Sequence, residues 1–162
     1  MQGRGNPPGK ENQMLYVAYG SNLNKDQMAW RCPTAKAVGT NLLIGWRLSF
    51  KGSKTGSYLT IEPDPDGEVP VGIWEIDKES ERALDAYEGY PVFYRKVKIN
   101  VRLNGRNRKG IVYIMNDGRP YGIPSINYIE TCITGYNDFG FDQAVLAEAF
   151  DYTCKKVKKT FK

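Results

Sequence analysis

Two short polar segments of the sequence carry the residue types best suited to chemistry. The first, residues 19–23, reads Tyr-Gly-Ser-Asn-Leu and joins a compact apolar run to a predicted helix. Gly20 and Asn22 tolerate a positive φ, which would let successive backbone N–H groups turn inward around an anion. The helix behind the segment would add partial positive charge at its N-terminus. The segment suits a carboxylate or an oxyanion, although an ordinary strand-to-helix turn uses the same residue types.

The second segment, residues 84–91, contains a glutamate at the predicted end of a helix. The helix dipole disfavours negative charge there, so it raises the pKa of the Glu88 carboxyl. The rings of Tyr87, Tyr90 and Tyr94 would desolvate the same carboxyl and raise its pKa further. A carboxyl of this kind could exchange protons at neutral pH. The alternative is a solvated glutamate at a helix end.

The composition removes several kinds of catalytic site. The chain has no histidine, which excludes Ser-His-Asp triads, Cys-His pairs and every His-ligated metal. Its three cysteines, Cys32, Cys132 and Cys154, are far apart and contain no Cys-x-x-Cys pair, so we expect free thiols in a reducing compartment. Acid–base chemistry at neutral pH is left to carboxylates, lysine, tyrosine or cysteine.

The net charge of +5 over 162 residues lies at the two ends of the chain. Residues 1–13 carry +1, residues 155–162 carry +5, and the part between them carries −1. We therefore expect a disordered leader (1–13), one domain (14–154) and a basic tail (155–162), with no nucleic-acid partner. No apolar run reaches the length of a membrane span and no signal-peptide core is present, so we expect a cytoplasmic protein without a membrane partner.

The two segments need helices and strands to hold them in place. Residues 14–19 are apolar and predict a buried strand that leads into the first segment. Asn24 is an N-cap for a short helix after that segment. Asp77 is an N-cap for the helix that carries Glu88, and Gly89 is its predicted C-terminal cap.

The remaining pattern predicts strands and then two helices. Four stretches, separated by Gly, Pro and Asp, are typical of strands: 42–50, 58–62, 69–76 and 92–103. An Asn-Gly pair at 104–105 predicts a type I′ hairpin to residues 109–115. Ser125 begins a helix that ends at Gly135, and Asp142 begins the last one. The predicted inward residues of the first of these helices are Ile126, Ile129 and Ile133.

This order of elements predicts the α+β class, with a small mixed and mostly antiparallel β-barrel flanked by helices. A barrel that is closed or nearly closed would hide the strand edges.

Taken together, the two segments and their surroundings resemble the γ-glutamylcyclotransferase family, which includes AIG2-like proteins. The resemblance extends over residues 14 to about 150. The residues that carry it are Tyr19–Leu23, Met28, Arg31-Cys32-Pro33, Val71–Ile76, Leu84-Asp85, Glu88-Gly89, Tyr94, Tyr113–Met115, Pro124-Ser125, Tyr128, Cys132 and Gly135.

The resemblance implies a cavity at one end of the barrel, a homodimer, and a role for each matched residue. The loop formed by Tyr19, Gly20, Ser21, Asn22 and Leu23 would bind the glutamyl head of a substrate. Glu88 would be the catalytic acid–base residue, and Tyr94 and Tyr128 would line the cavity.

The implied reaction needs few chemical groups. The α-amino group of a γ-glutamyl compound can attack its own γ-carbonyl and release 5-oxoproline with the free amine. Glu88 would act first as base and then as acid, without a cofactor or a metal. Ser21 would orient the substrate, because no base is present to activate it. The loop N–H groups could hold either the oxyanion or the α-carboxylate.

Three functions stay open at this point. The first is an enzyme that acts on a small-molecule γ-glutamyl substrate and releases an amino acid, the ε-amine of lysine, a polyamine or an antibiotic intermediate. The second is a non-catalytic small-molecule-binding protein with the same fold. The third, suggested only by the bulk charge, is a nucleic-acid-binding protein.

Overall fold

A computed structural model describes residues 13–160 of the chain. The predicted disordered leader lies outside the described residues except for Gln13. The predicted basic tail lies in the last helix as far as Thr160. In chain order the elements are β1 (Met14–Ala18), a 3-10 turn (Ser21–Leu23), α1 (Lys25–Arg31), β2 (Lys36–Ser53), β3 (Gly56–Ile76), α2 (Lys78–Glu88), β4 (Tyr94–Leu103), β5 (Arg106–Met115), α3 (Ile126–Asp138) and α4 (Ala144–Thr160).

The strands form one five-stranded sheet in the order β2-β3-β1-β5-β4. The β1–β5 pair is parallel and the other three pairs are antiparallel. The two edge strands come close where the Asn41 side-chain amide donates to the carbonyl oxygen of Arg102 at 3.0 Å. The α+β class and the mostly antiparallel sheet are confirmed. No backbone ladder joins the edges within the described residues, so the word barrel fits this curled sheet only loosely.

The first long hairpin differs from its prediction. Residues 58–62 and 69–76 belong to the single strand β3, because the turn-forming residues between them make a bulge inside the strand. Ile44 pairs with Glu68 and Trp46 pairs with Pro63, so residues 64–67 bulge opposite Gly45. Gly45 has a φ of +89°, which favours glycine. Proline and aspartate here mark a bulge and not the end of a strand.

The helix caps near the two polar segments are confirmed. Asn24 Oδ1 accepts from the N–H of Gln27 at 3.0 Å at the start of α1. Asp77 Oδ1 accepts from the N–H of Ser80 at 2.8 Å at the start of α2. Gly89 ends α2 in the left-handed conformation, with a φ of +63°. The predicted hairpin is also present, with positive φ at both central residues 104 and 105.

Helix α3 corrects two expectations. It does not end at Gly135 but continues to Asp138, and Ile126 is 75% exposed. The buried residues of this helix are Cys132, Gly135 and Tyr136. A Cβ at position 135 would lie 2.6 Å from the backbone nitrogen of Asn24 and 2.7 Å from the carbonyl carbon of Leu23. Gly135 therefore lets α3 pack directly on the backbone of the first polar segment.

The three cysteines are free thiols, two of them buried and Cys154 partly exposed. Among residues 13–160, none of the helices combines the length and the apolar character that crossing a membrane would need.

Candidate active site

A cavity of about 380 Å³ lies where β1, α2 and the tip of the β2–β3 hairpin meet. Its inner part is polar and contains residues from the first polar segment together with the end of α2. Its outer part is lined by rings and by the hairpin tip. The lining includes Tyr16, Tyr19, Gly20, Ser21, Asn22, Ser53, Thr55, Tyr58, Leu59, Tyr87, Glu88, Phe93, Tyr94, Tyr113 and Tyr128. The structure thus brings the two polar segments of the sequence together in one site.

The loop at residues 19–23 folds into a 3-10 turn. The N–H groups of Leu23 and Asn24 donate to the carbonyl oxygens of Gly20 and Ser21, each at 3.0 Å. Three further loop N–H groups, at residues 20–22, are not used by these turn bonds. They are the backbone donors that the loop can offer to an anion.

The predicted positive φ at Gly20 and Asn22 is wrong, because Gly20 has a φ of −133° and Asn22 is not among the positive-φ residues. Position 20 has little space for a side chain. A Cβ there would lie 3.3 Å from Leu59 Cδ1 and 3.4 Å from the Tyr128 hydroxyl. The loop therefore approaches the cavity wall too closely for a larger side chain to fit without displacement.

Glu88 is the last residue of α2 and its carboxyl faces the cavity. Burial raises the pKa of the Glu88 carboxyl from 4.5 to about 7, and the positive charge of Arg31 opposes part of that rise. The carboxylate accepts one hydrogen bond, from Asn22 Nδ2 to Oε1 at 3.3 Å. Sequence reasoning anticipated the desolvation and the rings of Tyr87 and Tyr94. It was wrong about Tyr90, which does not line the cavity and packs against the ammonium of Lys96 at 4.2 Å.

Asn22 is the most heavily bonded side chain of the site and is only 2% exposed. Its Nδ2 donates to the Tyr16 hydroxyl at 2.9 Å as well as to Glu88. Its Oδ1 accepts from Nη1 of Arg31. Its backbone oxygen accepts from the indole N–H of Trp74 at 3.0 Å. These contacts fix the amide beside the carboxyl.

Ser21 lies in the cavity, and no base is hydrogen-bonded to its hydroxyl among the described residues. Its Oγ is hydrogen-bonded to the Tyr87 hydroxyl at 2.9 Å. Burial raises the pKa of the Tyr87 phenol, so Tyr87 is not a base at neutral pH. The geometry therefore agrees with a substrate-orienting role for Ser21 and gives no support to nucleophilic attack.

The predicted cavity tyrosines are held by backbone partners. The Tyr19 hydroxyl donates to the carbonyl oxygen of Tyr113 at 2.6 Å, and the Tyr94 hydroxyl donates to that of Leu59 at 2.8 Å. The Tyr128 hydroxyl accepts from the N–H of Leu59 at 3.0 Å. Burial raises the pKa of all three phenols.

Leu23 is the one predicted site residue that does not line the cavity. Its side chain is fully buried in the core, where it packs close to Gly72 and Gly135.

Sequence reasoning missed Tyr16, Tyr113, Tyr58 and Phe93. Tyr16 and Tyr113 lie on buried strands, where a phenolic hydroxyl needs a hydrogen-bond partner, and that requirement is a signal that could have found them. Tyr58 and Phe93 face each other edge-on at 6.1 Å between ring centroids. Their meeting depends on the long hairpin, which the sequence did not predict as one unit.

Among the described residues, the polar side chains that line the cavity are phenols, hydroxyls, one amide and one carboxyl, and the apolar ones are Leu59, Ala86 and Phe93. In the part of the chain that the structure describes, no cluster of three or more Cys, Asp or Glu is arranged to hold a metal ion. The fold and the site thus define a protein with a small-molecule cavity built around one carboxyl of raised pKa.

Comparison with known proteins assigns the family. A family model described as Gamma-glutamyl cyclotransferase, AIG2-like, matches residues 16–130. The chain belongs to this family, which confirms the resemblance seen in its sequence.

Named relatives support the same assignment. The γ-glutamylcyclotransferase of Homo sapiens is 35% identical over 86 residues, which is 49% of this chain and 46% of the human protein. The mouse γ-glutamylcyclotransferase is 29% identical over 146 residues, covering 83% of this chain and 77% of the mouse protein. The match to the human relative thus spans about half of that protein's length.

A solved structure of a protein described as γ-glutamyl cyclotransferase is similar over nearly the whole chain. It superposes with a TM-score of 0.70 at 26% identity, covering 88% of this chain and 85% of that one. The mixed sheet with its flanking helices is therefore the fold of this family.

Proposed function

We propose that the chain cyclises a γ-glutamyl amino acid or γ-glutamyl amine and releases 5-oxoproline and the free amine. The observation that carries the proposal is the Glu88 carboxyl, which has a pKa of about 7 and faces a cavity that is also lined by residues of the 19–23 loop. A carboxyl with this pKa has both protonation states available at neutral pH.

The loop side of the cavity suits the glutamyl head. The backbone N–H groups of residues 20–22 donate no hydrogen bond within the described part of the chain, so they could serve a carboxylate or an oxyanion, and Ser21 adds a hydroxyl. Among residues 13–160 no lysine or arginine lines the cavity, so neutral donors would hold the anionic group. The outer rings of Tyr58 and Phe93 would contact the leaving amine.

The proton steps balance on Glu88 alone. The Glu88 carboxylate removes a proton from the α-ammonium group, and the amine nitrogen attacks the γ-carbonyl carbon to close a five-membered ring. Protonated Glu88 then gives its proton to the leaving nitrogen, and the regenerated carboxylate takes the second proton that the attacking nitrogen still carries. The C–N bond then breaks, and the released amine takes this second proton from Glu88, which restores the carboxylate. The nucleophile belongs to the substrate, so no acyl-enzyme is formed.

The test is Glu88→Gln, assayed for 5-oxoproline release from γ-glutamyl-alanine and from ε-(γ-glutamyl)-lysine. We expect kcat to fall by about 10³-fold or more, because glutamine cannot exchange the proton. Calorimetry with the same compounds should show binding close to that of the wild type. The matched control is Glu81→Gln, which makes the same change on α2 at a residue outside the cavity lining.

Each outcome has a distinct meaning. Turnover by Glu88→Gln at the wild-type rate would reject Glu88 as the proton shuttle. Binding without turnover by the wild-type protein would favour a non-catalytic binding protein with this fold.

A nucleic-acid partner is not part of the proposal. The lysines at 155, 158 and 159 are exposed along the last turns of α4 and do not border the cavity. Salt-dependent RNA or DNA binding that persists after residues 155–162 are removed would contradict this part of the proposal.

A further inference from the structure

Arg31 lies outside the cavity lining, yet its guanidinium is connected to both sides of the site. From the C-terminal end of α1, Nη1 donates to Asn22 Oδ1 and Nη2 donates to Gln27 Oε1 at 3.1 Å. The guanidinium carbon also lies 3.5 Å from the centroid of the Tyr87 ring. No carboxylate pairs with Arg31 among the described residues.

The contact with Asn22 decides which way its amide faces. A guanidinium can only donate hydrogen bonds, so the amide oxygen must point toward Arg31. The amide NH₂ then points the other way, toward Glu88 Oε1 and the Tyr16 hydroxyl. A reversed amide would place its oxygen against the Glu88 carboxylate and its NH₂ against a cation. Arg31 therefore fixes the hydrogen-bond donor that Glu88 uses.

The contact with Tyr87 reaches the other functional side chain of the loop. The Tyr87 ring lies under the guanidinium, and its hydroxyl is hydrogen-bonded to Ser21 Oγ at 2.9 Å. Stacking on a cation favours one ring position. One side chain of α1 thus supports Asn22 directly and Ser21 through Tyr87.

Arg31 also has an electrostatic effect on Glu88. Within the described residues, the titratable groups that face Glu88 from β1, the loop after it, α2, β4 and β5 are all phenols, and burial raises the pKa of every one, which keeps them neutral at pH 7: Tyr16, Tyr19, Tyr87, Tyr94 and Tyr113. Arg31 is the charged group that acts on Glu88, and it lowers the pKa of the carboxyl against the effect of burial. Its charge favours the carboxylate form, while its hydrogen bond to Asn22 turns the amide donor toward the carboxyl.

We propose that Arg31 is a positioning residue, which orients the Asn22 amide toward Glu88 and holds Tyr87 on Ser21, so that the acid–base carboxyl and the loop are aligned together. The proposal rests on the proposed function for the role of Glu88. Its geometric part concerns the folded protein itself and can be measured without turnover.

The experiment compares the intact wild-type chain with Arg31→Met, Arg31→Lys and the matched control Arg47→Met. Arg47 is also stacked on a tyrosine, with its guanidinium carbon 3.4 Å from the Tyr152 centroid, and it does not line the cavity. The Glu88 carboxyl is titrated by ¹³C NMR, with Glu88→Gln identifying its resonance. Steady-state rates on γ-glutamyl-alanine are measured over pH 5–9, and thermal unfolding reports the folded fraction.

We expect the Glu88 midpoint to rise by about one pH unit in Arg31→Met and to stay unchanged in Arg47→Met. In Arg31→Lys the charge remains, but an ammonium cannot lie flat on Tyr87 while it donates to Asn22 and Gln27. The titration midpoint of Glu88 in this variant should therefore stay near the wild-type value, while kcat/KM falls by about tenfold. In an Asn22→Ala background, Arg31→Lys should cause little further loss.

The results separate the two proposals. An unchanged Glu88 midpoint in Arg31→Met, or additive losses in the Asn22→Ala background, would overturn the role of Arg31. A wild-type protein that releases no 5-oxoproline would overturn the proposed function, while the NMR titration would still decide the role of Arg31.

Discussion

Two carboxyls on helix α2, one turn apart, have opposite surroundings. Asp85 accepts from the Tyr113 hydroxyl at 2.6 Å and pairs with the ammonium of Lys96 at 3.1 Å. Glu88 faces the cavity and, within the described residues, accepts only from the Asn22 amide. The same helix thus carries one carboxyl that is paired with a cation and one that is buried without such a pair.

The difference shows that two neighbouring carboxyls of one helix serve the molecule differently, since one joins elements of the fold and the other faces the cavity. A directly paired cation makes the charged form of a carboxyl favourable, and the resulting ion pair joins elements together. Lys96 lies on β4, so the Asp85 pair connects α2 to the sheet. Burial without a paired cation instead raises the pKa of Glu88 to about 7, where the carboxyl can exchange protons. Three changes test this contrast.

The largest effect is expected from Gly135→Ala, which should displace the loop beside Glu88 and leave the ion pair between Asp85 and Lys96 intact. Its Cβ would meet backbone atoms of Leu23 and Asn24, which cannot rotate away. We expect unfolding free energy to fall by about 3–4 kcal/mol, as the loop is displaced. Chemical denaturation measures the loss, and NMR of Lys96 reports the Asp85 pair. Normal stability and full cavity binding would show that α3 does not position the loop.

The second effect concerns stability and pH in Glu88→Gln. In the wild type, the folded pKa near 7 exceeds the unfolded value, so ionising Glu88 destabilises the fold as pH rises from about 4.5 to 7. Glutamine avoids that ionisation. We therefore expect the variant to be more stable than the wild type by about 2–3 kcal/mol at pH 8 and equal to it at pH 4. Urea unfolding at both pH values checks this, and an equal difference at both would contradict the raised pKa.

The smallest effect is expected at the paired carboxyl. Lys96→Met removes the cation from Asp85 and should lower the unfolding free energy by about 1–2 kcal/mol at pH 8. Glu81→Gln is the matched control, because Lys96 keeps its contact with Asp85 and we expect a change below about 0.5 kcal/mol. Equal losses of unfolding free energy in Lys96→Met and Glu81→Gln would show that the contact of Lys96 with Asp85 is not distinct from its contact with Glu81.

Local signals predicted much of this molecule. The caps at Asn24, Asp77 and Gly89 depend on a few neighbouring residues, and the structure places them as the sequence indicated. The two polar segments were also recognised from residue type and spacing, and they meet in one cavity.

Long-range packing explains what the sequence did not predict. Gly135 was taken for a helix end because its close contact with the Asn24 backbone comes from a distant part of the chain. The prolines and aspartates of residues 63–66 were taken for a strand end because the pairing opposite Gly45 was unknown. The outer rings Tyr58 and Phe93 come together only after that hairpin has formed.

The short loop between α2 and β4 connects the Glu88 end of the cavity to its aromatic end. Phe93 N–H donates to the carbonyl oxygen of Gly89 at 2.8 Å, and the Asn116 side chain donates to the carbonyl oxygens of Pro91 and Val92 at 2.8 Å. These hydrogen bonds fix the loop, and the loop in turn fixes the separation between Glu88 and Phe93. In the proposed reaction, the length of this loop would limit how far a bound molecule extends from the Glu88 carboxyl to the Phe93 ring. A loop longer by one residue would then change which molecules fit without moving Glu88.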